Sequence, residues 1–176
     1  MAGVDPSGSF PQGGRPLSSL KEFLKKQAQE QSASADEREA ARDEWVEAVD
    51  RLVTRLTDWL READSDTVLK IEPTVHRIRE PRLGSYEAKG LLITLGAREI
   101  GLVPVARYSI GSIVGDAHGE TIRHGRLDLT NIEKKYMLYR GKREQEDFWV
   151  IVDDRDYAAK PLDQTSFEAA IQSMLE

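Results

Sequence analysis

Between residues 36 and 63, apolar side chains recur at alternating spacings of four and three: Trp45, Val49, Leu52, Leu56 and Trp59. No other feature restricts the fold as strongly. This period lines one side of an α-helix, and Val46, Val53 and Leu60 widen the line into a broad face. A helix with such a face has to bury it. The stripe is too wide and too short for a coiled-coil seam, which sustains three or four heptads with charged flanks. The surface expected opposite it is therefore a sheet. Asp36, Glu37 and Glu39 stand at the start of the segment, where the helix dipole favours negative charge.

From Thr67 onward the period falls from 3.6 to 2. "TVLKIEPTVHRI" has extended character, but Pro73 restricts it to an edge or broken strand. "GLLITLGAREIGLVPV" reads as a hairpin, Leu91–Leu95 and Glu99–Val105 around a turn at 96–98. "ARYSIGSIV", "ETIRHGRLDL", "KKYMLYR" and "DFWVIVDD" follow, separated by turn-forming residues. Strand succeeds strand with no helical period between them, which favours an antiparallel meander over βαβ units. The chain closes on "PLDQTSFEAAIQSMLE", where Phe167, Ala170, Ile171 and Met174 share a helical face and Thr165 with Glu168 has the form of a capping box. The fold class expected is α+β: a meander of about six strands packed with one long helix on its N-terminal side and one C-terminal helix.

The N-terminal region differs in composition. Residues 1–16 are rich in Gly, Pro and Ser, and a disordered tail is expected because such a segment buries too little to offset its ordering entropy. In 17–35, Ser19 and Glu22 form a capping pattern, and Leu20, Phe23 and Leu24 share one face of a short helix over about 18–30. "QSASAD" (31–36) reads as a polar break, with Ser34 and Glu37 as a second capping pattern. Residues 36–176 then form a single α+β domain.

Composition limits the chemistry. With no cysteine, the 176-residue chain has no disulfide, thiolate zinc site or thiol nucleophile. A net charge of −6 speaks mildly against a dedicated nucleic-acid binder. No apolar run approaches the length of a membrane span, and the first residues lack the basic and apolar parts of a secretory signal, so a cytoplasmic protein without a membrane anchor is expected. There is no phosphate-binding glycine loop of either common form, and no cofactor is expected.

Three stretches invite a chemical reading. "GDAHGE" (115–120), with His124 and Asp128 behind it, could bring Asp116, His118 and His124 to one metal, as in a small metal-dependent hydrolase. The carboxylate and histidine ligands a binuclear site would also need are missing downstream, and Gly115, Asp116 and Gly119 suit a hairpin loop, so no metal ligand is assigned. Asp153 and Asp154 are adjacent on a strand and point to opposite faces, which favours a solvated turn over a carboxylate pair. "KKYMLYRGKR" (134–143) interleaves cations with aromatics, a pattern that suits stacking on single-stranded bases, but Glu133, Glu144, Glu146 and Asp147 crowd it.

The strands are apolar on both sides. Phe148, Val150 and Val152 alternate with Trp149 and Ile151, and Tyr136 and Leu138 alternate with Met137 and Tyr139. A sheet with one wet face alternates apolar with polar. Helices on both faces, a curled sheet, or a face that binds a partner would each account for this. The function expected is that of a non-enzymatic interaction or adaptor protein, binding another protein through its N-terminal arm or an apolar sheet face. Leu20, Phe23, Leu24, Tyr139 and Trp149 are the candidate partner-binding residues. Self-association is a further option, and nucleic acid bound through the basic hairpin is the poorer fit.

Overall fold

A computed structural model describes residues 18–108, 125–143 and 146–176. Among the described residues two helices and seven strands follow in the order α1 (Ser18–Ala63), β1 (Lys70–Glu80), β2 (Gly84–Leu95), β3 (Arg98–Ala106), β4 (Arg126–Thr130), β5 (Lys135–Arg143), β6 (Glu146–Asp153), β7 (Ala159–Pro161) and α2 (Gln164–Leu175). Each strand pairs antiparallel with the next, in the spatial order β1 to β7. The chain is thus an α+β meander with a long helix before it and a short one after. Seven strands exceed the expected six or so; β7 is the one with no counterpart in the sequence reading, and most of the expected strand "ARYSIGSIV" lies outside the described residues. β7 has only three residues, all exposed, and no apolar period, and its ladder to Val150–Val152 defines it. The expected tail, residues 1–16, lies outside the described residues.

The chain divides into two units, Met1–Glu37 and Arg38–Glu176. In the first, Ser18–Glu37 is helical throughout, and α1 runs on to Ala63 without the expected break at 31–36. The physical reason is the lack of a breaker: residues 18–63 contain neither Gly nor Pro, and Ser and Asp inside a helix each cost well under about 1 kcal/mol relative to Ala. Ser34 caps nothing. Its hydroxyl donates back to the carbonyl of Gln31 at 3.0 Å, as a mid-helix serine does.

In the second unit one main core joins both helices to the sheet. Trp45, Val49, Leu52, Val53, Leu56 and Leu60 of α1 and Phe167, Ala170, Ile171 and Met174 of α2 pack with Leu91, Ile93, Ile100, Leu102, Leu127, Leu129, Leu138 and Ile151. These strand residues sit opposite one another in register across β2 to β6. Trp59 is only half-buried, its ring 6.1 Å from that of Phe167.

At the far end of the β1–β2 ribbon the buried side changes parity. Leu91 and Ile93 enter the core from one end of β2, Tyr86 and Ala88 from the other, yet the pairing with β1 has no register shift. The change comes from twist, which is strongest in a two-stranded ribbon. It is centred on Gly90, where a Cβ would collide with the carbonyl oxygen of Leu102. Beyond Leu102, β3 leaves β2 and, among the described residues, pairs with β4, through a bulge between Pro104 and Ala106. Pro104 thus stands where the sheet tolerates a missing donor, and Pro73 lies in β1, an edge strand as expected.

The cap of α2 also differs from the expected one. Asp163 is the N-cap: its carboxylate accepts from Ser166 N at 2.8 Å, and its own N–H donates to Ser166 Oγ at 3.0 Å. This capping box lies two residues before the Thr165–Glu168 pair. The side chain of Glu168 instead accepts from Gln164 Nε2.

Candidate functional site

The most developed polar constellation lies where α1 meets the β5–β6 hairpin. Arg140 falls on the same strand face as Leu138, so it enters the core, and its side chain is 1% exposed. Its guanidinium donates from Nη1 and Nη2 to Glu44 of α1 at 3.2 and 2.5 Å, and from Nε and Nη2 to Asp147 of β6 at 2.9 and 2.6 Å. Lys142 Nζ lies 2.7 Å and Arg107 Nη2 3.6 Å from Glu44, while Arg51 donates to Asp147 at 3.1 Å. Burial alone would raise the Glu44 carboxyl, but the hydrogen bonds and charges of Arg140 and Lys142 more than reverse this and hold it at about 2. Glu44 of α1 and Asp147 of β6 share the Arg140 guanidinium, so the network clamps a helix to a hairpin. In the sequence Arg140 stands among the cations of the 134–143 hairpin. The signal that places it inside was an ionisable residue on the core-facing parity of β5.

A second buried polar group holds the end of β3. Glu80, one step beyond Ile78 on the buried side of β1, accepts from the hydroxyl of Tyr86 and from the backbone N–H groups of Arg107 and Tyr108, the latter two at 2.8 and 3.0 Å. Burial raises the Tyr86 hydroxyl above its ordinary value, and the Glu80 carboxylate adds to the shift. Arg82 and Arg107 both lie over the Tyr108 ring, at 5.6 and 4.8 Å. Across the core, Gly125 precedes β4 with φ +147, a conformation that L side chains rarely adopt, and a Cβ there would strike the indole of Trp45.

The candidate partner-binding residues fall into two groups. Leu20, Phe23 and Leu24 are 59%, 57% and 56% exposed on α1. Trp149 and Tyr139 are buried, at 8% and 4%. Trp149 packs in the main core with its ring 6.2 Å from that of Trp45, so it presents no surface to a partner. Tyr139 belongs to a separate cluster with Met137, Val150 and Val152, against which Phe148 packs. This cluster uses the opposite parity of β5 and β6 and accounts for their two-sided apolarity. It is bordered on β4 by Arg126 and Asp128, joined by a two-pronged ion pair at 2.6 and 2.8 Å.

Asp116, His118 and His124 lie outside the described residues. Among the described residues no three His, Asp or Glu side chains are grouped to hold a metal ion. In the basic hairpin, Arg140 is held in the ion network, and Lys134 donates to the carbonyl and hydroxyl of Ser173, closing the C-terminal turn of α2 together with Asn131, whose Nδ2 donates to Met174 O at 2.9 Å. Arg77, Arg79 and Arg82, in and just after β1, are exposed.

Beside that turn is an open groove of about 510 Å³. Leu92, Gly101 and Thr130 form a registered row across β2, β3 and β4, and line the groove with Ile132, Met174 and Ala97. Arg98, Glu99, Glu133 and Glu176 supply its charge. Ile132, in the β4–β5 turn, is fully exposed. No helix among the described residues is long and apolar enough to cross a membrane. Compared with protein-family models, with curated proteins and with solved structures, the chain finds no match.

Proposed function

We propose that this chain is a cytoplasmic, non-enzymatic interaction protein that binds another protein through the N-terminal part of α1. The observation that carries the reading is the exposure of Leu20, Phe23 and Leu24 to more than half of their surface on one helical face. Helix-in-groove recognition uses anchors at this spacing, i, i+3 and i+4. Scattered exposed apolar residues are ordinary, whereas three large ones on adjacent turns of one face form a patch. The buried polar groups of the second unit support the same reading, since Arg140, Glu44, Asp147 and Glu80 are committed to each other and to the backbone.

Amide hydrogen exchange on the full chain tests this. In dilute protein, exchange at Leu20–Lys25 is expected to be fast, and to slow when native-cell extract or concentrated chain is added. Phe23→Ala should abolish the slowing. Strong protection of Leu20–Lys25 in the dilute wild type, or slowing that survives Phe23→Ala, would overturn the proposal.

A further inference from the structure

Charge and shape on the two surfaces described above point to the partner. We infer that the groove floored by Leu92, Gly101 and Thr130 receives the Leu20–Ala28 segment of a second copy of this chain, so that two copies exchange these helical segments. The inference rests on the proposal that this part of α1 is the docking element, and it names what that element docks into.

The helical segment is apolar on one side and basic on its flanks. At about 100° per residue, Leu20, Phe23, Leu24 and Gln27 cluster within roughly 100° of arc. Lys21 and Lys26 fall about 110° to either side of the centre of that arc, and Glu22 falls on the far side with Lys25. Leu20–Ala28 contains three lysines and one glutamate. The groove has the opposite balance: among its lining residues Glu99, Glu133 and Glu176 stand against Arg98, with the Lys134 ammonium held beside them by Ser173. Complementarity of this kind steers association and fixes orientation.

The groove is also apolar where the helix would need it. Leu92, Ala97, Gly101, Ile132 and Met174 line it, and Ile132 stands fully in solvent, so that covering it on docking removes apolar surface from water. Gly101 keeps the floor open. A Cβ there would make only ordinary contacts, 3.7 Å to Val103 Cγ2 and 3.9 Å to Thr130 O. No strain at that position requires glycine, and the space above it can be filled by substitution. Reciprocal docking about a two-fold axis buries two such contacts per pair, which brings a contact of this modest size toward the area a specific interface needs.

Sedimentation velocity on the full chain, over a concentration series, reads the result. Wild type should show a reversible monomer–dimer equilibrium. Phe23→Glu on the helical segment, Ile132→Glu at the rim and Gly101→Val on the floor should each weaken it by about tenfold or more. The first two replace exposed side chains, and unchanged far-ultraviolet circular dichroism and melting would show that the fold is kept. An equimolar mixture of Phe23→Glu and Ile132→Glu chains retains one intact contact per mixed pair and should associate more strongly than either variant alone. A wild type that stays monomeric throughout overturns the assignment, as does a dimer indifferent to Ile132→Glu and Gly101→Val. In either case, slowed exchange at Leu20–Lys25 on adding extract would leave the proposed function standing. A dimer indifferent to Phe23→Glu would likewise overturn the assignment, and the exchange experiment with Phe23→Ala would still decide the proposed function.

Discussion

Replacing Glu44 by Gln isolates the charge at the centre of the ion network, because the amide keeps the size of the carboxylate and loses its sign. A carboxyl held at about 2, against an ordinary value of 4.5, corresponds to roughly 3 kcal/mol. Glu44 is about a third exposed, and solvent screening reduces this to about 1–2 kcal/mol. Folding depresses this group, so its stabilisation is fully present above 4.5 and is lost as the pH falls through about 2. Urea unfolding of wild type and Glu44→Gln across a pH series gives a difference curve in which the carboxylates outside the network cancel. The variant should be less stable by about 1–2 kcal/mol near neutral pH, and the gap should close as the pH approaches about 2. A gap that stays constant with pH would mean that the loss comes from packing and not from charge. No gap near neutrality would mean that the network contributes nothing through Glu44.

Trp45→Ala should cost about 3–5 kcal/mol in urea unfolding because the indole is fully buried, whereas Trp59→Ala, at a half-buried position against Phe167, should cost about 1–2 kcal/mol; equal costs would contradict the burial difference. Asp163→Ala should lose about 0.5–2 kcal/mol as the N-cap of α2, while Thr165→Ala should stay within about 0.5 kcal/mol; the reverse order would restore the Thr165–Glu168 cap. Gly90→Ala should destabilise by about 1–3 kcal/mol, since its Cβ meets the Leu102 carbonyl where the β1–β2 ribbon turns over, and a neutral result would show that the ribbon twists without close approach at that point.

Much of the architecture follows from local period. The four-and-three spacing from Trp45 to Trp59 makes a helix that needs a sheet, and the succession of strands with short turns makes a meander. Both depend on neighbours along the chain, so they are legible without coordinates. The continuity of α1 was legible too, in the absence of Gly and Pro across 31–36, but the polar composition of that stretch suggested a break. Polarity shows which parts of a helix stay wet and says little about where it ends.

The candidate surfaces divide along the same line. Leu20, Phe23 and Leu24 could be placed on one face from spacing alone, and that face is exposed. Alternation could assign Tyr139 and Trp149 to opposite sides of their strands, but whether a side is core or surface depends on what packs there from distant sequence. The same holds for Arg140 and Glu80, whose partners Glu44 and Arg107 are 96 and 27 residues away. The groove behind Ile132 is assembled from β2, β3, the β4–β5 turn and the end of α2. By itself the sequence determined the fold class and the type and order of most elements, β7 and the continuity of α1 aside, because hydrogen-bonding period and turn chemistry act over a few residues. Only the tertiary structure decided which charges are buried, which aromatics are hidden and where a groove opens, because burial is a property of elements that meet across the fold.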